Sequence, residues 1–126
     1  MYGKPRITRT RLLKTANPKD TQITVSPGLS WQVGETIGLA PTAINWFEKD
    51  YAVIKAYDND SGIVTLDRTL NHYHFGAATS TGPDYSGVEM RGEVILLSRN
   101  IKIAGIDTEA WGCQVVTSDF LEGNGE

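Results

Sequence analysis

Apolar residues recur at every second position in several short stretches of the chain, which is the pattern of half-buried β-strands. Ile23 and Val25 alternate with polar residues and are followed by a turn signal at 27–28. Residues 51–57 are rich in aromatic and β-branched side chains, and the pattern resumes at 63–66 after a polar loop that contains glycine. These two runs predict a β-hairpin, and because helix signals are almost absent, the chain is predicted to be all-β.

The stretch at residues 94–97, Val-Ile-Leu-Leu, departs from this alternation because it is apolar without interruption. Such a run predicts a strand that is buried on both faces. A second apolar cluster at 113–116 follows at a spacing typical of the coils of a parallel β-helix, in which each coil stacks on the one before it. We therefore expect residues 94–103 to form a wall that is covered on each side by a different part of the molecule.

Strand signals and breaks divide the chain into five segments of one structural unit. Two coils alone are too few for a stable solenoid, so the N-terminal strands must cover them or the chain must be part of a larger protein. The segments are a basic N-terminal strand segment (1–20), a small β-subdomain (21–76), a loop (77–87), the coils of a β-helix (88–120) and a tail (121–126).

The charge balance excludes a general attraction to nucleic acid, since 12 Lys and Arg stand against 15 Asp and Glu in 126 residues. No apolar run is long enough to span a membrane and the first residues carry no export signal, so we predict no direct membrane insertion. The stretch around Arg9 and Arg11 is exceptional, because residues 4–14 contain basic residues and no acid. It is either an edge strand protected by charge or a surface for an acidic polymer.

A metal site is one interpretation of His72 and His74, because residues i and i+2 of a strand project from the same face. Zinc would need a third ligand, for which Asp67, Asp84 and Glu89 are the candidates. In the alternative interpretation, His74 packs against its neighbour and forms a hydrogen bond with a carboxylate or a backbone carbonyl.

Three further residues are candidates for contacts with sugars. Trp46 lies in a loop, where its ring either stacks on a sugar or packs beneath the hairpin. Arg99 either pins a turn by pairing with an acid or offers a cation to a polysaccharide carboxylate. Asn59 begins an Asn-Asp-Ser sequon, which predicts glycosylation if the chain is secreted.

Catalytic patterns are missing from the sequence. A glycoside hydrolase needs two carboxylates facing each other across a cleft, and the acids here are scattered, mostly in turns. No nucleophile, phosphate-loop or dinucleotide motif occurs either. We therefore predict no cofactor, and the sequence favours a role other than catalysis.

Four stretches resemble a family of extracellular proteins. They are GKPRITRTRLLKTA, WQVGETIGLAPT, VTLDRTLNHYHFG and EVILLSRNIKIAG, and the resemblance covers roughly residues 3–120. The chain resembles the family of fibrocystin, fibrocystin-like protein and the cell-migration-inducing, hyaluronan-binding proteins. One departure is Glu35, which stands where the family has aspartate and keeps the carboxylate.

The resemblance implies a place after a glycine-rich β domain and at the start of a right-handed parallel β-helix. The expected fold is then an all-β small subdomain, made of hairpins or a partial barrel, packed on the first coils of that helix. The expected role is a non-catalytic structural or interaction segment of a large extracellular or cell-surface protein, with neighbouring domains of the same polypeptide as partners. The alternative is binding of a hyaluronan-type acidic polysaccharide, or a part in a hyaluronan-degrading ectodomain, through Arg9, Arg11 and Trp46.

Overall fold

The computed structural model describes residues 5–77 and 88–98, and the regular structure in these ranges is entirely β. The predicted all-β class is therefore confirmed for these residues. The strands are β1 (Arg9–Arg11), β2 (Gln22–Thr24), β3 (Thr36–Leu39), β4 (Asp50–Asp58), β5 (Ile63–Leu66) and β6 (Glu93–Leu96).

The six strands form one sheet in the order β1-β6-β3-β4-β5-β2, and each strand runs antiparallel to its neighbours. The two edge strands approach each other just beyond β1, where Leu12 forms an antiparallel bridge with Val25. The Leu13 N–H donates to the Thr24 carbonyl there at 2.8 Å. The sheet therefore curls into an open half-barrel, which agrees with the predicted partial barrel.

The core fills the inside of the curl. Strand residues alternate between this inner face and the outer face, as the period of a strand requires. Trp31 closes one side of the core: its ring lies 6.3 Å from that of Tyr57, and its Nε1 donates to the Ile7 carbonyl. The buried apolar residues are Leu12, Ala16, Ile23, Val25, Leu29, Trp31, Ile37, Leu39, Ala52, Ile54, Val64, Leu66, Leu70, Val94 and Leu96.

The hairpin predicted from the alternating runs is the pair β4–β5, joined by a turn at 58–62. The Asp58 carboxylate accepts hydrogen bonds from the Asp60 N–H and the Ser61 hydroxyl. Gly62 has a φ of 73°, and a Cβ at this position would lie 2.0 Å from the Val25 carbonyl oxygen. The turn therefore requires glycine for two reasons, its left-handed backbone and the close approach of β2.

Strand β6 corrects the expectation for residues 94–97. Both neighbours of β6 are antiparallel, so residues 93–96 belong to the curled sheet rather than to a stack of parallel coils. Only one face is fully buried, because Val94 and Leu96 point into the core while Leu97 is 40% exposed. On the outer face, the side chains of Leu97 and Tyr51 lie over Gly38, where the absence of a Cβ leaves room for them. The predicted wall beyond residue 98 lies outside the described residues.

The N-terminal strand is an edge of the sheet, and Arg9 and Arg11 are exposed on it. Just before it, the Arg6 guanidinium binds the Glu35 carboxylate through both oxygens, which ties this segment to the turn before β3. This pairing lowers the pKa of Glu35. The N-terminal segment is thus held by side chains as well as by strand pairing.

In the two described ranges no helix is long and apolar enough to cross a membrane.

Candidate functional site

The most exposed apolar part of the described structure is the loop between β3 and β4, residues 41–49, which we call the aromatic loop. The exposed fractions are 105% for Ile44, 68% for Trp46 and 62% for Phe47. The two ring centroids are 3.9 Å apart and the ring planes are tilted by 32°. The Phe47 N–H donates to the Asn45 side-chain oxygen at 3.1 Å. The loop therefore presents a compact apolar tip.

Asp50 follows the loop directly and opens β4, with its side chain on the inner face of the sheet and only 3% exposed. Its carboxylate accepts hydrogen bonds from the Asn71 N–H, the Asn71 side-chain amide and the His72 N–H. Burial acts to raise the pKa of Asp50, but the hydrogen bonds from His74, His72 and Asn71 outweigh it and hold the pKa below its ordinary value. Asp50 is therefore a carboxylate that organises the segment at 71–74.

His74 is fully buried and joins the two ends of the aromatic loop. Its Nε2 lies 3.0 Å from Asp50 Oδ2, and its Nδ1 lies 3.0 Å from the carbonyl oxygen of Ala40, which precedes the loop. A carbonyl can only accept, so Nδ1 carries a hydrogen. Its Nε2 contact with the Asp50 carboxylate is buried, so the two side chains link the end of the loop to the segment at 71–74.

A second contact holds the same loop through Thr42. The Thr42 hydroxyl accepts from the Phe75 N–H at 3.0 Å and donates to the Tyr73 carbonyl at 3.4 Å. The segment that supplies these partners is fixed in turn, because His74 and Ala16 exchange two backbone hydrogen bonds of 2.9 Å. The base of the aromatic loop is therefore pinned to the body of the domain at Ala40, Thr42 and Asp50.

The two histidines that were predicted as a pair of metal ligands, His72 and His74, lie in different environments. Both ring nitrogens of His74 already lie at hydrogen-bond distance from other groups. His72 Nδ1 lies 3.5 Å from Asp50 Oδ2, within ion-pair range but without the geometry of a hydrogen bond. In the part of the chain that the structure describes, no three His, Cys, Asp or Glu residues are grouped to hold a metal.

Two of the three candidates for a third ligand are paired with neighbouring arginines. Asp67 pairs with Arg68, and Glu89 pairs with Arg91. The Arg91 contacts lower the pKa of Glu89 to about 2. Asp84 lies outside the described residues. The hydrogen bonds of His74 match the alternative interpretation, in which it bonds a carboxylate and a backbone carbonyl.

The predicted sugar-contacting residues lie on different elements. Arg9 and Arg11 project from edge strand β1, where Arg9 lies 3.8 Å from Glu93 and Arg11 donates to the Arg91 carbonyl at 3.3 Å. Trp46 lies beyond β3, which is separated from β1 by β6. Arg99 lies outside the described residues.

The predicted glycosylation residue is accessible. Asn59 is exposed at the tip of the β4–β5 turn, and its side-chain oxygen accepts from the Ser30 N–H at 3.3 Å.

Asp50 is the residue that inspection of the sequence missed. It follows Glu48 and Lys49, so the three charges resemble a solvated turn. The alternation of the strand could have indicated it, because Asp50 lies two and four residues before Ala52 and Ile54 and therefore faces the same inner side of the sheet. An acid on a core-facing position predicts a buried carboxylate with dedicated partners.

Comparison with known proteins identifies the class of protein that carries this half-barrel. The chain is 34% identical over 118 residues to Fibrocystin-L of Mus musculus, an alignment that covers 91% of this chain. It is 32% identical over 131 aligned positions to Fibrocystin-L of Homo sapiens, covering 97% of this chain. A scan against models of protein families finds no match. The chain belongs to the fibrocystin-like family and spans about 3% of the length of these two relatives.

Proposed function

We propose that this chain is a non-catalytic structural and interaction segment of a large extracellular or cell-surface protein of the fibrocystin-like type. The observation that carries the proposal is the similarity to Fibrocystin-L, which extends along nearly the whole chain but over about 3% of each relative. A segment of this size acts beside many other domains. Its pinned apolar loop and half-covered outer face are surfaces suited to contacts with those domains.

The neighbouring structure in this proposal is a right-handed parallel β-helix whose first coils follow β6. The support is the family resemblance together with the outer face of the sheet, where Leu97 and Tyr51 are 40% and 51% exposed around Gly38. When another layer covers an apolar surface of this kind, the free energy falls by about 25 cal/mol for each Å² of apolar area removed from water.

Cooperative unfolding tests this role. We would produce a longer piece of the parent protein that includes the domains on either side, and compare its calorimetric unfolding with that of the 126-residue chain. A structural segment unfolds at a higher temperature in the longer piece, in one transition with its neighbour. Unfolding of this segment at an unchanged temperature with and without its neighbours would contradict the proposal.

Binding of an acidic polysaccharide is the second candidate. The observation that favours it is the exposure of Arg9 and Arg11 on one edge strand, together with the 68% exposure of Trp46. Titration with hyaluronan oligosaccharides would then give saturable NMR shift changes at these three residues. An Arg9→Gln/Arg11→Gln variant and an uncharged oligosaccharide serve as controls, and an unchanged spectrum excludes this candidate.

Secretion predicts a glycan at Asn59, which is exposed at a turn. Expression through the secretory pathway of an animal cell should give a product whose mass falls on enzymatic removal of N-glycans. The Asn59→Gln variant should show no such change. An unmodified product would contradict the predicted glycan.

A further inference from the structure

We propose that the aromatic loop is a docking element that inserts Ile44, Trp46 and Phe47 into an apolar groove on a neighbouring domain of the same polypeptide. This inference rests on the proposed function and names the surface through which the segment makes a contact. It follows from the rigidity of the loop base, the absence of charge at its tip and the size of the surface.

The loop is prepared for binding before any partner arrives. Ala40 and Asp50 are joined through His74, and Thr42 is held by the backbone of Tyr73 and Phe75. A loop that is already ordered loses little conformational entropy on binding, so more of its contact energy remains as affinity. An exposed apolar tip on a fixed base is therefore suited to docking.

The chemistry of the tip selects an apolar partner. Residues 36–47 contain no charged side chain, and the next two residues, Glu48 and Lys49, carry opposite charges. An acidic polysaccharide or an anionic lipid surface requires an excess of cations near the contact. Trp46 and Phe47 instead pack on each other as a wedge, which suits a groove lined by apolar side chains.

The small area of the tip favours a partner on the same polypeptide chain over a separate protein. Two aromatic side chains and one isoleucine, each at least three-fifths exposed, can bury about 400 Å². A stable complex between separate proteins needs about 800 Å² on each side. A domain on the same chain acts at an effective concentration in the millimolar range, at which so small a contact is sufficient.

Oxidative footprinting of side chains tests the inference. Trp46 and Phe47 would be labelled by hydroxyl radicals in the 126-residue chain and in the longer piece that includes both neighbouring domains. We expect severalfold less labelling of both rings in the longer piece, with Ile63 on β5 as the internal reference. Equal labelling of Trp46 and Phe47 in the two proteins would overturn the inference.

A matched pair of variants separates docking from general stability. Trp46 and Val33 are both 68% exposed, but Val33 lies in the turn before β3, away from the loop. Trp46→Ser should lower the unfolding temperature of the longer piece and leave that of the short chain unchanged, whereas Val33→Ser should change neither. The same loss for both variants, or none for Trp46→Ser, would overturn the inference.

Other ligands give distinguishable results. Protection of Trp46 in the short chain by hyaluronan oligosaccharides or by phosphatidylcholine vesicles would overturn the inference in favour of a sugar or a lipid. If unfolding remains coupled to the neighbours while Trp46 is equally labelled in both proteins, docking through the loop is wrong and the structural role stands.

Discussion

The two loops that flank strand β4 are held by different means. The turn at 58–62 is organised largely by its own Asp58 carboxylate, and it also accepts hydrogen bonds from the N–H groups of Val25 and Ser30. The aromatic loop, residues 41–49, exposes its apolar side chains and is fixed at its base by Asp50 and the distant His74. One loop is shaped mainly by a carboxylate within it, whereas the other is fixed at its base by a side chain far away in the chain.

The difference shows which loop is suited to a specialised task. A polar turn with glycine at the position of positive φ is a general solution for joining two strands. An apolar tip that faces water gains nothing for the folding of its own domain. Its base, pinned by the buried contact between Asp50 and His74, is therefore best explained by a surface that must keep its shape for a partner.

The largest expected effect is the loss of Asp50. In Asp50→Ala, His74 and the N–H groups of Asn71 and His72 lose their acceptor in a buried site. We expect the free energy of unfolding to fall by about 3–5 kcal/mol, measured by urea denaturation. Asp50→Asn keeps an acceptor oxygen and should lose less. A fall of under about 1 kcal/mol for Asp50→Ala would show that the pair does not fix the loop.

Replacement of Gly62 tests the turn at 58–62 and its close approach to Val25. Gly62→Ala combines a φ of 73° with a Cβ placed 2.0 Å from the Val25 carbonyl oxygen, and should cost about 3 kcal/mol of unfolding free energy. Gly28 has a similar φ of 79° but no atom within 4 Å, so Gly28→Ala should cost only about 1 kcal/mol. Equal losses in denaturant titrations would contradict the role of the close approach.

Removal of the Thr42 hydroxyl weakens the second contact of the aromatic loop. Thr42→Val leaves the Phe75 N–H without its acceptor and should lower the unfolding free energy by about 1–2 kcal/mol. Hydrogen exchange at residues 43–47 should become faster. The control is Thr36→Val, at the first residue of β3. Faster exchange at residues 43–47 in both variants would argue against a specific role for the Thr42 hydroxyl.

Acid should weaken the contact between Asp50 and His74. The pKa of Asp50 is lowered in the folded state, so its stabilising contribution is complete above the ordinary value of 3.8. It is lost as the pH falls below 3.8 toward the pKa of the folded protein. Unfolding free energies of the wild type and of Asp50→Asn should therefore converge in acid. Parallel curves between about pH 6 and pH 2 would contradict this linkage.

The smallest effect is expected at the tip of the aromatic loop. Trp46 is 68% exposed, so Trp46→Ser in the 126-residue chain should change the unfolding free energy by no more than about 0.5 kcal/mol. Thermal and urea unfolding measure this change. A loss above about 1 kcal/mol would show that the ring supports its own domain rather than a partner.

The parts of the fold that depend on local chemistry were predictable from the sequence. The hairpin β4–β5 followed from two alternating runs and the polar turn between them. The alternation also indicated that Ile23 and Val25 face the core. Val33 shares the parity of Ile37 but is exposed, because the turn at Gly34, with a φ of 88°, interrupts the alternation.

The parts that depend on distant segments were not predictable in the same way. Residues 94–97 are apolar at every position, and the pattern could not show that β6 lies between β1 and β3. The contact of His74 with Asp50 joins positions 24 residues apart through a side-chain register that only the folded sheet defines. For the site, the sequence placed Trp46 in a loop and left open whether its ring was exposed or packed, and the residues that hold the loop were not recognised.

The position of β6 between β1 and β3 governs the order in which the chain can fold as it is made. Strands β3, β4 and β5 pair with neighbours in sequence, but β1 has to wait until Glu93–Leu96 has left the ribosome. During that interval β1 and one side of β3 remain unpaired edges that are open to pairing with other nascent chains. The positive charges of Arg9 and Arg11 disfavour such pairing between the β1 edges of two copies.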